Sequence, residues 1–445
     1  WTDMPAMKLY LGENTAQAAA YAREAKALRD EMIAGEVVRS ANTQVLIDAV
    51  RNNAFFPQPS YRCAANDLAT ITVPSGGAAS TINANNSSTA NVSMTNTAKL
   101  TWLGGAAKTD VNGAYYPRGA WYAGNRTWAY VAFEFEHAGT QFEVTTSCGV
   151  LQAGTNFRVL VNDRIAGEAS IPIDGAWRQI KVVFPTSATR RVRIESCGGA
   201  YKGLNVAATS EVTASPKSYP LVTLVGDSFP EGTGATKWDG EGESLLRACG
   251  FKGANASVGG TGILNPGTGG RVNWQDAERL SDLALNGYTD AITGAAPDVK
   301  MGIIQMSIND NVGLGLWGGA ASLQEAVNKG LWTLIDHWQV HRSGKPLVVF
   351  GPTYAGSTSI PLELFKMRDA GQEACGGAMQ SNVWFIDRLM PLPLLRSGSS
   401  TTSTDQAYLY TIGGGDPTHP SPAGHNLDAL WASRELRRLI LTEFA

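Results

Sequence analysis

Four short stretches carry residue types that acyl-transfer chemistry needs. The first is Gly226-Asp227-Ser228, directly after the apolar run Leu221–Val225. A serine on the turn after a buried strand is held at the carboxyl edge of its sheet with Oγ exposed, where it can attack a carbonyl. The glycine that a GxSxG elbow places two residues later is missing, and in isolation an Asp-Ser pair here also reads as a plain turn. The second stretch, NASVGGTG at 255–262, is a glycine-rich turn that either aims backbone N–H groups into a pocket or serves as an ordinary connecting loop. The third, Ser307-Ile308-Asn309-Asp310, ends the run KMGIIQM, and its Asn offers a side-chain amide to a site or stabilises its own turn. In the fourth, Asp416 precedes His419 by three residues. At that spacing a carboxylate reaches the imidazole Nδ1–H, fixes the tautomer and leaves Nε2 as a base, although such pairs also occur as loop hydrogen bonds.

Taken together and in this order, the four stretches resemble the SGNH/GDSL hydrolase superfamily over residues 219–445. The resemblance implies that Ser228 is the nucleophile, His419 the general base and Asp416 the acid of a Ser-His-Asp triad. It implies an oxyanion hole made by the Ser228 N–H, Gly260 and Asn309, with Gly259 a near alternative to Gly260. Ser307 departs from the pattern, standing where the family usually has glycine, which bears on backbone shape beside the pocket. Asp227 and Asp310 read as turn and loop organisers, and His425 as a structural residue of the last helix. The chemistry is ester cleavage: His419 takes the Ser228 proton during attack and returns it to the leaving alcohol. No metal or other cofactor is expected. The five Cys form no CxxC pair and the five His do not cluster with them.

Regular elements must bring these stretches together. After Tyr219, apolar runs at 221–225, 300–307, 346–351 and 382–387 alternate with helical patterns near 243–249, 276–285, 321–341, 362–374 and 422–444. That alternation predicts a parallel sheet covered on both faces, with ligands bound beyond its carboxyl ends; the resemblance makes it a flavodoxin-like three-layer α/β sandwich. Upstream, period-two runs at 127–137, 140–148, 156–163, 178–185 and 190–197 predict short strands of an antiparallel β-sandwich or jelly roll. Cys148 and Cys197 end two of them, either paired or as free thiols. Residues 209–220 read as a linker. Residues 13–51 are helical in pattern, broken at Gly35, with Ala18, Tyr21, Ala25, Leu28 and Met32 at 3,4,3,4 spacing. The expected domains are a helical segment 1–54, a β-sandwich 55–215 and a catalytic domain 216–445.

Composition narrows the partners. Over 445 residues only 17% are charged and the formal net charge is −3, with no Lys/Arg run, so no nucleic-acid footprint is present. The longest apolar runs fall far short of the ~20 residues of a membrane span. The upstream β-domain resembles the jelly-roll modules that precede SGNH domains in carbohydrate acetylesterases. Trp238, Trp274 and Trp317 lie in Gly/Asn-rich loops, where rings can stack on sugars or pack locally. No long apolar lid segment appears, which counts against a lipase. The expected substrate is an acetylated polysaccharide outside the cell. The Ala-rich start and Asn/Ser/Thr-rich middle also resemble phage tail fibres or tailspikes, from which a homotrimer is expected. The competing readings are a glycan-binding tail module with a silent hydrolase domain, and a GDSL esterase of small esters.

Overall fold

A computed structural model describes residues 41–52, 62–77, 79–82, 90–109, 113–117, 130–148, 155–235, 238–311, 314–353, 360–376, 382–389 and 419–444. The seam positions Ala18 to Met32 lie outside them.

Among the described residues, eleven strands form one sheet in which every named pair is antiparallel. They are β1 (Thr70–Thr72), β2 (Val92–Ser93), β3 (Thr101–Trp102), β4 (Ala107–Thr109), β5 (Tyr115–Pro117), β6 (Tyr130–Cys148), β7 (Phe157–Val161), β8 (Arg164–Ala169), β9 (Trp177–Cys197), β10 (Gly199–Val206) and β11 (Glu211–Ala214). Four of the runs expected as separate strands are fused here into two, β6 of 19 residues and β9 of 21. Gly139 and the segment 186–189 read as breaks, yet the two strands stay paired on both sides of a single register shift, which runs from Gly139↔Ala188 to Gln141↔Val183. A bulge lets a long ribbon bend without ending. The expected linker forms β11, which pairs with β6. Inward residues such as Phe133, Phe135, Phe142, Val159, Ile180 and Ile194 make the core of this domain. The side chain of Cys148 lies outside the described residues.

The second sheet is parallel, in the order β13-β12-β14-β15-β16, from β12 (Leu221–Val225), β13 (Lys252–Asn255), β14 (Val299–Gln305), β15 (Leu347–Phe350) and β16 (Val383–Ile386). With the first strand inside the order, this is the flavodoxin-like arrangement. β13, sequence KGAN, has no apolar run to announce it. The helices are α1 (Ala41–Asn52), α2 (Ser228–Glu231), α3 (Glu241–Ala248), α4 (Ala277–Ala284), α5 (Leu323–His341), α6 (Leu362–Gly376) and α7 (Pro422–Glu443). Alternate residues of each strand serve opposite layers: Leu221 and Val225 pack with α4, α5 and α6, while Val222 and Leu224 pack with α1, α3 and α7.

α1 packs within the α/β layer. Leu46, Ile47 and Val50 are fully buried in the same cluster as Met301, Ile303, Ala432 and Leu436. The helix belongs to the α/β layer, and the β-rich domain is inserted between α1 and β12. The reason is area: a short amphipathic helix gains stability by burying its apolar face against a sheet.

Candidate active site

Ser228 opens α2 immediately beyond the carboxyl end of β12, and Asn309 follows β14. These two strands flank the point where the strand order reverses, which is where a parallel sheet leaves a crevice. Asp227 caps α2, accepting the Phe229 N–H at 3.0 Å. His419 Nε2 lies 2.9 Å from Ser228 Oγ, and its ring packs 5.9 Å from that of Phe229. That separation allows direct proton transfer from the hydroxyl to the imidazole. Asp416 lies outside the described residues.

His419 sits just ahead of α7, whose first turns are tied to the chain that follows Ser228. His425 Nε2 donates to the Thr233 carbonyl at 2.8 Å, Ser244 Oγ donates to Asn426 Oδ1 at 3.2 Å, and Ser421 caps the helix. Behind them Arg388 pairs with Glu241 at 2.8 Å and with Asp428, all three side chains fully buried. Burial, reinforced by the neighbouring Asp428, pushes the Glu241 carboxyl well above the usual range against the pull of Arg388. His425 is thus a structural ligand between α7 and the loop after α2.

The glycine turn lies against Ser228. A Cβ on Gly259 would stand 2.6 Å from Glu231 Oε2 and 3.3 Å from the Ser228 Cβ, so a side chain here would displace the Glu231 carboxylate. The Gly259 N–H is already engaged, donating to Glu231 Oε2 at 2.8 Å. Gly260 has φ +74°, the left-handed region, and among the described residues its N–H has no recorded acceptor. Of the two glycines, Gly260 is therefore the one with a donor to spare.

Asn309 Nδ2 donates to the Thr261 carbonyl at 3.2 Å and lies 3.5 Å from Asp227 Oδ2. Its side-chain amide is held beside the glycine turn. Ser307 Oγ lies 2.8 Å from Asp227 Oδ2 and 2.9 Å from the Thr261 carbonyl, and accepts the Asn309 N–H at 2.9 Å. Its single proton serves one acceptor at a time. At φ −91°, ψ 141° its backbone is extended and demands no glycine, so the departure at this position leaves the local shape open to any residue. Asp310 accepts the N–H groups of Ile263, Leu264 and Asn265 at 2.8, 2.7 and 3.1 Å; burial nevertheless pushes its carboxyl up to about 6. Burial also raises Asp227, against hydrogen bonds from Phe229 and Ser307.

Two of the three tryptophans cannot stack on a sugar. Trp238 is 2% exposed, with the Arg158 guanidinium 4.7 Å over its ring and Leu103, Tyr130 and Tyr219 around it. Trp274 is fully buried and donates from Nε1 to Thr261 Oγ1 at 3.0 Å, bracing the glycine turn from within the core. Their Gly/Asn-rich flanks suggested surface loops; packing between the domains and within the α/β core placed the rings inside. Trp317 is partly buried, packed against the α/β core. Glu231 and Arg271, both touching Gly259, were not singled out. The only signal for Glu231 was its position one helical turn after Ser228; Arg271 gave none. Among the described residues no group of three His, Cys, Asp or Glu side chains is arranged to hold a metal, and no helix is long and apolar enough to cross a membrane.

No family model matches the chain, and no curated protein matches it in sequence. Solved structures do match its fold. A family two carbohydrate esterase from Cellvibrio japonicus aligns at a TM-score of 0.54 and 12% identity, over 84% of this chain and 99% of that one. The Clostridium thermocellum family two carbohydrate esterase in complex with cellohexaose gives 0.53 and 15%, over 76% and 98%. The salicylyl-acyltransferase SsfX3 from a tetracycline biosynthetic pathway gives 0.55 and 16%, over 80% and 99%. The chain shares with them the α/β fold and its β-rich companion domain.

Proposed function

We propose that this protein is a serine esterase that removes acetyl or other short acyl groups from a polysaccharide outside the cell. The observation that carries the reading is the 2.9 Å contact between His419 Nε2 and Ser228 Oγ at the carboxyl edge of β12. The fold shared with carbohydrate esterases, one of them solved with a cello-oligosaccharide, supports the substrate class.

In this scheme His419 Nε2 accepts the hydroxyl proton as Ser228 Oγ attacks the acyl carbonyl. Asp416 would hold the opposite ring nitrogen and stabilise the imidazolium. The developing oxyanion is met by the N–H groups of Ser228 and Gly260 and by the Asn309 amide, donors worth ~3–4 kcal/mol each in comparable sites. His419 then protonates the departing sugar hydroxyl, and a water deprotonated by His419 releases the acyl group and restores Ser228. Partly exposed Trp317 remains the one tryptophan of the three with ring surface to offer a sugar.

The test is acetate release from a panel of acetylated polysaccharides, with Ser228→Ala as control. Release by the native protein and none by the variant is expected, as is faster turnover of p-nitrophenyl acetate than of long-chain esters. Equal or better activity on acyl chains of twelve carbons would reverse the substrate assignment, and no hydrolysis at all would favour a glycan-binding module.

A further inference from the structure

The backbone around Gly259 is gripped by two side chains that the reaction scheme does not use. Glu231 accepts the Gly259 N–H at 2.8 Å, while Arg271 donates from Nη1 to the Gly259 carbonyl oxygen. That carbonyl belongs to the same amide as the Gly260 N–H. In a trans peptide the C=O and N–H point in opposite directions, so a cation bound at the oxygen lies on the far side from whatever the N–H faces. The amide joins two glycines, and Gly260 has φ +74°; with no Cβ on either side, nothing steric prevents this plane from turning over. The side-chain grip supplies what the sequence leaves free.

We propose that Arg271 is a positioning residue of the esterase: it fixes the orientation of the Gly259–Gly260 amide and polarises it, so that the Gly260 N–H meets the oxyanion. The inference rests on the proposed role of Ser228. A charge-assisted bond to a carbonyl is stronger than a neutral one, and bonds in a chain polarise one another. Positive charge on the oxygen therefore makes the N–H at the other end a better donor as negative charge develops opposite it. Glu231, by taking the preceding N–H, leaves the Gly260 N–H as the donor of this turn. Arg271 is itself exposed, on loop 265–273, and among the described residues it makes no ion pair. Its remaining donors invite one rival role, binding of a substrate carboxylate, and the test separates the two.

The experiment compares the full-length native protein with Arg271→Gln, Arg271→Lys and Arg271→Ala. The probes are p-nitrophenyl acetate, a p-nitrophenyl ester that carries a carboxylate, and phenylboronic acid, whose serine adduct places an oxygen in the oxyanion site. For Arg271→Gln we expect kcat to fall at least about tenfold on both esters, bounded by the ~10²–10³-fold loss of a whole oxyanion donor. KM should change little, and boronate affinity should fall in step with kcat. Arg271→Lys should retain most of the rate, and millimolar guanidinium ion should restore part of it to Arg271→Ala. Unchanged kcat and boronate affinity in Arg271→Gln would overturn the proposal. A rise in KM confined to the anionic ester, with kcat intact, would overturn it in favour of carboxylate binding. Absence of Ser228-dependent turnover in the native protein is a different failure, one that removes the esterase reading itself.

Discussion

Replacing His137 with Gln should remove a defined part of the acid sensitivity of the β-rich domain. His137 lies on β6 opposite Arg190 of β9, fully buried, with its ring 5.3 Å from that of Phe142. Burial, together with the Arg190 charge, lowers its pKa from 6.5 to about 4. Between those values the unfolded chain binds a proton that the folded domain refuses, so folding stability falls as pH falls. The contribution is whole above pH 6.5 and is lost through the window down to pH 4. At 1.36 kcal/mol per unit the full span is worth about 3.4 kcal/mol, and the step from pH 7 to pH 5 roughly 2 kcal/mol. The assay is urea unfolding of the native protein and His137→Gln at both pH values, followed by a signal of the β-rich domain. The gap between the two proteins should narrow by about 2 kcal/mol on going to pH 5. Titration of every other group cancels in that difference. Parallel pH dependences would mean that His137 accepts its proton in the folded state, and would refute the assignment of burial as the cause.

Three further outcomes are expected. Ser228→Ala and His419→Ala should each lower kcat by several orders of magnitude, and the double variant should be little worse, because the pair acts as a unit; steady-state kinetics on p-nitrophenyl acetate decides. Asn309→Ala should cost ~10²–10³-fold in kcat with KM little changed, whereas a change mainly in KM would make Asn309 a binding residue. Leu46→Ala or Ile47→Ala should destabilise the α/β domain by about 2–5 kcal/mol in chemical denaturation; an effect below 1 kcal/mol would show that α1 does not belong to that core.

Much of the α/β domain could be read from the chain because its strands are uninterrupted apolar runs and its helices keep a clear period. Ser228 and Asn309 could be singled out because each follows an apolar run, Leu221–Val225 and Val299–Gln305, whereas Gly260 and His419 stood out only through the set of four stretches taken together. What escaped was decided by contacts distant in sequence. β13 takes its place at the end of the sheet order, beside β12 and the preceding Pro220, through backbone pairing that KGAN does not advertise. Gly139 looked like the end of a strand, because one residue cannot reveal that β9 bends alongside it. Trp238 and Trp274 have polar neighbours in sequence and apolar ones in space. Arg271 lies twelve residues from the carbonyl it holds, and no local pattern joins them.

The insertion of the β-rich domain between α1 and β12 has a consequence for biosynthesis. Ribosomes release the chain from its N-terminal side, so α1 emerges before any strand of the sheet it covers. Its partners in α7, Ala432 and Leu436, come from Pro422–Glu443, near the opposite end. At ~5–20 residues per second the wait is roughly tens of seconds. During that time the β-rich domain, complete once β11 has emerged, can fold with its own core. Leu46, Ile47 and Val50 meanwhile remain without the layer that buries them. The α/β fold is therefore closed last, by α1 and α7 together. Ribosome-stalled chains ending before Pro422 should leave α1 open to protease while the β-rich domain resists.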